Sequence, residues 1–140
     1  MVIFLDANIL FSAAQPGSPA HQFVVALSEH ASLTTHPGVW EEAERNLEEK
    51  RPQWLPGLVE ISRLVARKNR MAVCPEVGLP PKDQPVLGAA IAIRADRLVT
   101  GDRAHFGPLY GKTVEGVLIV SPQLMVAEMK TSGWIPPSPQ

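Results

Sequence analysis

Four acidic residues stand where this chain could do chemistry: Asp6 in VIFLDANIL, Glu42 in VWEEAERNL, Asp83 in KDQPVLGAA and Asp102 in LVTGDRAHF. Each falls where the pattern predicts that a strand ends or a helix begins. In a parallel α/β fold those ends lie along one edge of the sheet, so acids remote in sequence can meet in one anionic pocket. Such a pocket is costly unless something positive fills it, and a divalent cation is the usual occupant. Asn8, two residues after Asp6, is placed to cap the following helix or to hydrogen-bond a metal-bound water, and Thr100 brings a hydroxyl close to Asp102. Taken singly, Asp6 and Asp83 are equally well explained as helix caps and Asp102 as a turn residue. Glu41, Glu42 and Glu44 sit early in a helix, where its dipole favours negative charge. Glu42, at the border of that helix's apolar face, is the one expected to reach a cleft.

The elements that must position these residues follow from hydrophobic patterning. Val2–Leu5 is an all-apolar run typical of a strand buried on both faces. Further strands are predicted at Ser32–Thr35, Met71–Cys74, Arg97–Thr100 and Val117–Val120. Helices are predicted over His21–Glu29, from Pro37 to about Glu49, from Asp83 to about Arg94, and over Gln123–Lys130, started by Ser121 and Pro122. Leu58, Ile61, Leu64 and Val65 recur at helical spacing. The alternation predicts one three-layer α/β/α domain with a mostly parallel five-stranded sheet, spanning residues 1–131. A flexible Pro-rich tail is expected over residues 132–140.

Bulk properties narrow the function. The chain has 140 residues, 45% of them hydrophobic, and a formal net charge of −1, which announces no membrane or nucleic-acid partner for the molecule as a whole. Charge is nevertheless uneven: Ile61–Arg103 carries eight Lys/Arg against four acids, an excess compatible with a phosphate-bearing ligand or with solvated helix faces. Cys74 is the only cysteine, so an internal disulfide and a thiolate zinc cage are both excluded. No secretory signal is visible, and Val86–Ile93 is too short to span a bilayer, so a soluble cytoplasmic protein is expected.

The segments VIFLDANIL, EEAERNL, KDQPVLGAAIAIRADRLVTGDRAHF and GVLIVSP together resemble the PIN-domain nucleases, a family that includes the VapC-type toxins of toxin–antitoxin pairs. The likeness runs from Val2 to about Met129, and its most specific parts are the hydrophobic D-x-N start and the A-D-x-L-V-T-x-D run. It implies that Asp6, Glu42, Asp83 and Asp102 form the family's acidic quartet, with Thr100 and Asn8 as its polar companions. The glutamate position stays open between Glu41 and Glu42. Glu42 is preferred because it directly precedes the apolar Ala43.

A set of carboxylates without thiolates suits Mg²⁺ or Mn²⁺. The resemblance therefore implies a metal-dependent endoribonuclease, with Asp6 and Asp102 as principal ligands and Glu42 and Asp83 assisting. Arg94, Arg97 and Arg103 are candidates to line an RNA cleft, and His105 either approaches substrate or packs. The implied partners are RNA, a cognate antitoxin and a second copy of the chain, with Trp40, Trp54 or Trp134 at the dimer contact.

Two rivals remain from the residues alone. A dehalogenase-like phosphatase would want a second Asp where Asn8 stands, and a receiver domain would want paired acids before Asp6. A degenerate RNA- or protein-binding module would keep the acids without the chemistry and would be indifferent to metal.

Overall fold

A computed structural model describes residues 1–138. It contains six strands, β1 (Val2–Leu5), β2 (Ser32–Thr35), β3 (Val65–Arg67), β4 (Arg97–Val99), β5 (Thr113–Val114) and β6 (Val117–Val120), in the order β3-β2-β1-β4-β6-β5. The helices are α1 (Ala7–Ala13), α2 (Pro19–Ser28), α3 (Pro37–Lys50), α4 (Leu55–Ile61), α5 (Gln84–Ala92), α6 (Arg103–Phe106) and α7 (Pro122–Thr131). This is the expected three-layer α/β class, with a mostly parallel sheet in a PIN-like arrangement.

The all-apolar β1 takes the centre of the sheet, pairing in parallel with β2 (Ile3 opposite Leu33) and with β4 (Ile3 opposite Arg97). Its residues Ile3, Phe4 and Leu5 are buried, as a strand covered on both faces requires. From β1 the chain builds outward to β2 and β3 on one side, and to β4 and β6 on the other. The direction of winding therefore reverses between β1 and β4. Right-handed crossovers then place helices on opposite faces and open a crevice beyond the carboxyl ends of these two strands.

Helix starts are set by local chemistry. Ser18, His36 and Ser121 each accept a backbone N–H of the first helical turn, and a proline follows each of them. Helix α4 lies so close to the end of α1 that a Cβ on Gly57 would stand 1.8 Å from the Ala14 carbonyl oxygen. Only a glycine permits that approach.

Three expectations for the sheet need correction. The third strand is Val65–Arg67 rather than Met71–Cys74, and it pairs with β2 through Leu33 and Val65. The run Met71–Cys74 instead lies against α5: the Ala72 N–H donates to the Gly88 carbonyl at 3.1 Å, and Met71 and Val73 face outward. Its continuous apolar run reads as a strand, but the run packs one side on a helix without joining the sheet.

Leu64 and Val65 do not continue a helix, because α4 ends at Ile61 and the chain turns. The sheet has six strands rather than five. The sixth, β5, forms an antiparallel hairpin with β6 through Glu115 and Gly116, both at positive φ (49° and 83°). That pair of angles is the twist-compatible two-residue turn of hairpins.

At the far end of the molecule Trp134 stacks on His30, with ring centroids 5.1 Å apart and planes 8° from parallel. Of the stretch expected to form a tail, Pro139 and Gln140 lie outside the described residues. No helix among the described residues is long and apolar enough to cross a membrane.

Candidate active site

The crevice at the reversal of the strand order holds a cleft of about 320 Å³ lined by Asp6, Asn8, Glu42, Asp83 and Asp102, together with Asn46, Lys50 and Lys82. Each acid arrives from a different element. Asp6 follows β1, Glu42 projects from α3, Asp83 precedes α5, and Asp102 lies between β4 and α6. The structure thus brings all four sequence-predicted acids to one cleft wall. Glu41 is not part of that lining, whereas Glu42 is.

Asp6 is the buried member, 5% exposed. Its Oδ1 accepts the Ala7 N–H at 2.8 Å, and its Oδ2 accepts the Thr100 hydroxyl at 2.7 Å and the Asn8 amide at 3.2 Å. Burial pushes its carboxyl above the ordinary carboxylate range. The bonds from Thr100 and Ala7 pull it back in part, while Glu42 and Asp83 push it further up. Three hydrogen bonds do not by themselves compensate a buried anion with other anions beside it, so the site gains from a bound cation.

Thr100 and Asn8 tie β1 to β4. The fully buried Thr100 hydroxyl donates to Asp6 and accepts the Asp102 N–H at 3.2 Å, and Asn8 Oδ1 accepts the Gly101 N–H at 2.7 Å. The Tyr110 hydroxyl adds a bond to the Thr100 carbonyl at 2.7 Å, fixing the end of β4 from the other side. Thr100→Val is expected to lower stability by about 1–3 kcal/mol, because it strips Asp6 and the Asp102 N–H of a partner in a dry site. Thermal or urea unfolding measures that loss, and an unchanged midpoint would show that the hydroxyl holds nothing.

Asp83 and Asp102 meet at His105. The ring Nδ1 lies 2.8 Å from Asp102 Oδ2 and 3.0 Å from Asp83 Oδ2. Nδ1 can carry a single hydrogen, and the contact with Asp102 has hydrogen-bond geometry. The buried Asp83 Oδ2 is left without a hydrogen-bond partner despite its proximity to the ring. Asp83 makes no side-chain cap to α5, so the capping role open to it from sequence is not the one it plays. Asp102 does cap α6 through the His105 N–H at 3.2 Å, and Asp6 caps α1 through Ala7.

This donor set fits a hard divalent cation. One buried carboxylate oxygen lacks a partner, and two carboxylates and an imidazole, those of Asp83, Asp102 and His105, offer ligand atoms within 4.8 Å of one another. His105 therefore belongs to the cluster, a placement that the sequence left undecided.

Sequence reasoning missed Lys50, Lys82 and Asn46. A signal for two of them existed: Glu42, Asn46 and Lys50 follow one another at intervals of four on α3 and share a helix face. Two of the three arginines expected at the cleft are elsewhere. Arg97 opens β4 at the opposite end of the strand from Asp102 and forms a two-pronged bridge to Glu128 of α7 (2.8 and 3.1 Å). Arg94 lies beyond the carboxyl end of α5, remote from Asp83 at its start. Arg103 alone of the three is beside the acids, exposed on α6.

The fold and the placement of the acids define a class: a PIN-like α/β domain with a carboxylate cluster at its switch point. The chain is similar in structure to a chain in the crystal structure of VapBC2 from Rickettsia felis bound to a DNA fragment from their promoter. The TM-score is 0.64 over 86% of this chain and 98% of that one, at 16% sequence identity. No family model and no curated protein sequence matches the chain.

Proposed function

We propose that the chain is a metal-dependent endoribonuclease and that it serves as the toxin of a bacterial or archaeal toxin–antitoxin module. The observation that carries the reading is the meeting of Asp6, Glu42, Asp83 and Asp102 in one cleft, with a buried Asp83 oxygen lacking a partner. Likeness of fold to a chain of VapBC2 supports the toxin assignment.

Asp6, Asp83 and Asp102 would hold Mg²⁺ or Mn²⁺, with Glu42 assisting from the cleft mouth. Such an ion supplies Lewis acidity toward a phosphodiester and acidifies water for attack on it. The chain's own groups do the rest. Thr100 and Asn8 fix the Asp6 carboxylate, so its oxygens need no reorganisation when charge develops at phosphorus. Glu42, exposed at the mouth, is free to orient an attacking water and accept its proton. Lys50 and Lys82 offset the repulsion between an acidic cleft and a polyanion, drawing the phosphate in.

An antitoxin suited to this site would cover the cleft and insert a basic side chain among the acids. A homodimer remains part of the proposal, but without Trp40 as an exposed contact. That ring is buried beneath the Arg67 guanidinium, 4.4 Å from its centroid.

The reading is tested by incubating the protein with single-stranded RNA. Cleavage should require Mn²⁺ or Mg²⁺, stop with EDTA and return when the metal is restored. Binding of RNA without hydrolysis under any metal condition would favour a binding module, and hydrolysis of phosphomonoesters alone would favour a phosphatase.

A further inference from the structure

We propose that RNA leaves the acidic cleft on one defined side, along a basic track running over Lys82 and Arg45 to the end of β3 at Arg67. This rests on the nuclease reading for the nature of the strand, but the cations of the track lie outside the metal cluster, with Glu42 the one acid that the two surfaces share.

Two grooves adjoin the cleft, and they differ in chemistry. One, of about 270 Å³, shares the wall formed by Glu42, Lys82 and Val86 and continues past Arg45 and His36 to Met71. The other, of about 630 Å³, shares Asn8 and Ser12 with the cleft but is walled by apolar side chains such as Ile9, Phe23 and Val126, with Lys130 as its one cation among the described residues. A phosphate backbone drawn into an anionic site needs positive charge on its exit path, and the first groove, with Lys82 and Arg45 against the single Lys130 of the second, supplies more of it.

The end of β3 lengthens that path. The Lys68 N–H donates to the Thr35 carbonyl at 2.9 Å, so the chain leaving β3 runs beside His36 at the start of α3, and Met71 closes the groove. The segment Arg67–Arg70 thereby brings three exposed cations next to it. Arg67 is held in place by the Trp40 ring and keeps its guanidinium edge free for a phosphate. Among the described residues the track contains no exposed aromatic stripe, so it reads backbone charge and not base identity.

The test uses Asp6→Asn protein, expected to hold RNA without cutting it, and fluorescence anisotropy with a labelled tetranucleotide and a labelled dodecanucleotide. Adding Arg45→Gln and Arg67→Gln together should weaken dodecamer binding about ten-fold or more and flatten its log Kd against log salt slope by about 0.7 for each lost phosphate contact. The tetramer should be held within about two-fold, as should both RNAs by the Lys130→Gln variant in the apolar groove. Arg45→Gln alone, at an exposed side chain, gives the same direction without disturbing the Trp40 contact. Equal losses on both RNA lengths, or a loss with Lys130→Gln matching that of the double variant, would overturn the track. If the parent protein leaves RNA uncut with Mn²⁺ while the Arg45 and Arg67 dependence persists, the nuclease reading fails and the track stands.

Discussion

Asp6→Asn is expected to reduce RNA cleavage by at least about 10³-fold while raising the melting temperature of the metal-free protein. The first effect follows from removing the charge at the buried centre of the cluster, where electrostatic stabilisation is strongest. The second follows from the cost of that same charge. Burial holds the Asp6 carboxyl above the ordinary carboxylate range, with Glu42 and Asp83 adding to the rise. A group whose folded pKa is raised contributes stability below its unfolded pKa and loses it as pH climbs through the folded value.

Wild type and Asp6→Asn should therefore melt together near pH 4 in EDTA and diverge as pH rises to neutrality. The variant should then be the more stable by about 1 kcal/mol, several degrees in a domain of this size. Thermal melts in EDTA across that range measure the divergence. A variant that is less stable at every pH would show that the Thr100, Asn8 and Ala7 bonds outweigh the burial of the charge.

Gly57→Ala should cost about 3–5 kcal/mol and leave little folded protein at physiological temperature. A methyl there would meet the Ala14 carbonyl oxygen at 1.8 Å, and the obstacle is backbone that cannot rotate away. Either α4 lifts from α1 or the end of α1 unwinds, and α1 is capped at its start by Asp6. A surviving population should therefore lose metal-dependent stabilisation along with stability. Urea unfolding of the variant checks this, with Gly107→Ala, at an ordinary φ with nothing within 4 Å, as the comparison for a glycine without the clash. Equal losses for the two would mean that the contact with Ala14 carries no weight.

How much of this was legible from residues alone depended on length and polarity of each element. The strands β1, β2, β4 and β6 were readable because three or four successive apolar or β-branched residues precede a turn or a cap. The strand β3 was not, since its three residues follow Ile61 and Leu64 at spacing that continues a helical pattern. Met71–Cys74 reads as a strand because one side packs on Gly88 of α5, and periodicity cannot tell a helix neighbour from a strand neighbour. A two-residue strand such as β5 carries no period at all.

The acids were legible for a different reason: Asp6 and Asp102 sit just after readable strands, Asp83 just before a readable helix and Glu42 in the second turn of another, so topology sends them to one edge. The same rule, applied to strand polarity, would have removed Arg94 and Arg97 from the cleft. Arg94 precedes β4 and Arg97 opens it, while Asp102 follows it. His105 was undecidable, because its contact with Asp83 depends on how α5 and α6 meet in space, and no spacing encodes that.

The most direct test of the shared carboxylate cluster is to titrate Mn²⁺ into metal-free protein and follow both binding heat and melting temperature. The wild type should bind near one equivalent or more and melt higher as Mn²⁺ is raised, by the mass-action increment expected of a ligand that binds only the folded state. Asp6→Asn and Asp102→Asn should each lose most of that rise, and Glu41→Gln, outside the cleft, should keep it. A wild type whose melting temperature ignores Mn²⁺, or variants that respond as fully as it does, would contradict the account.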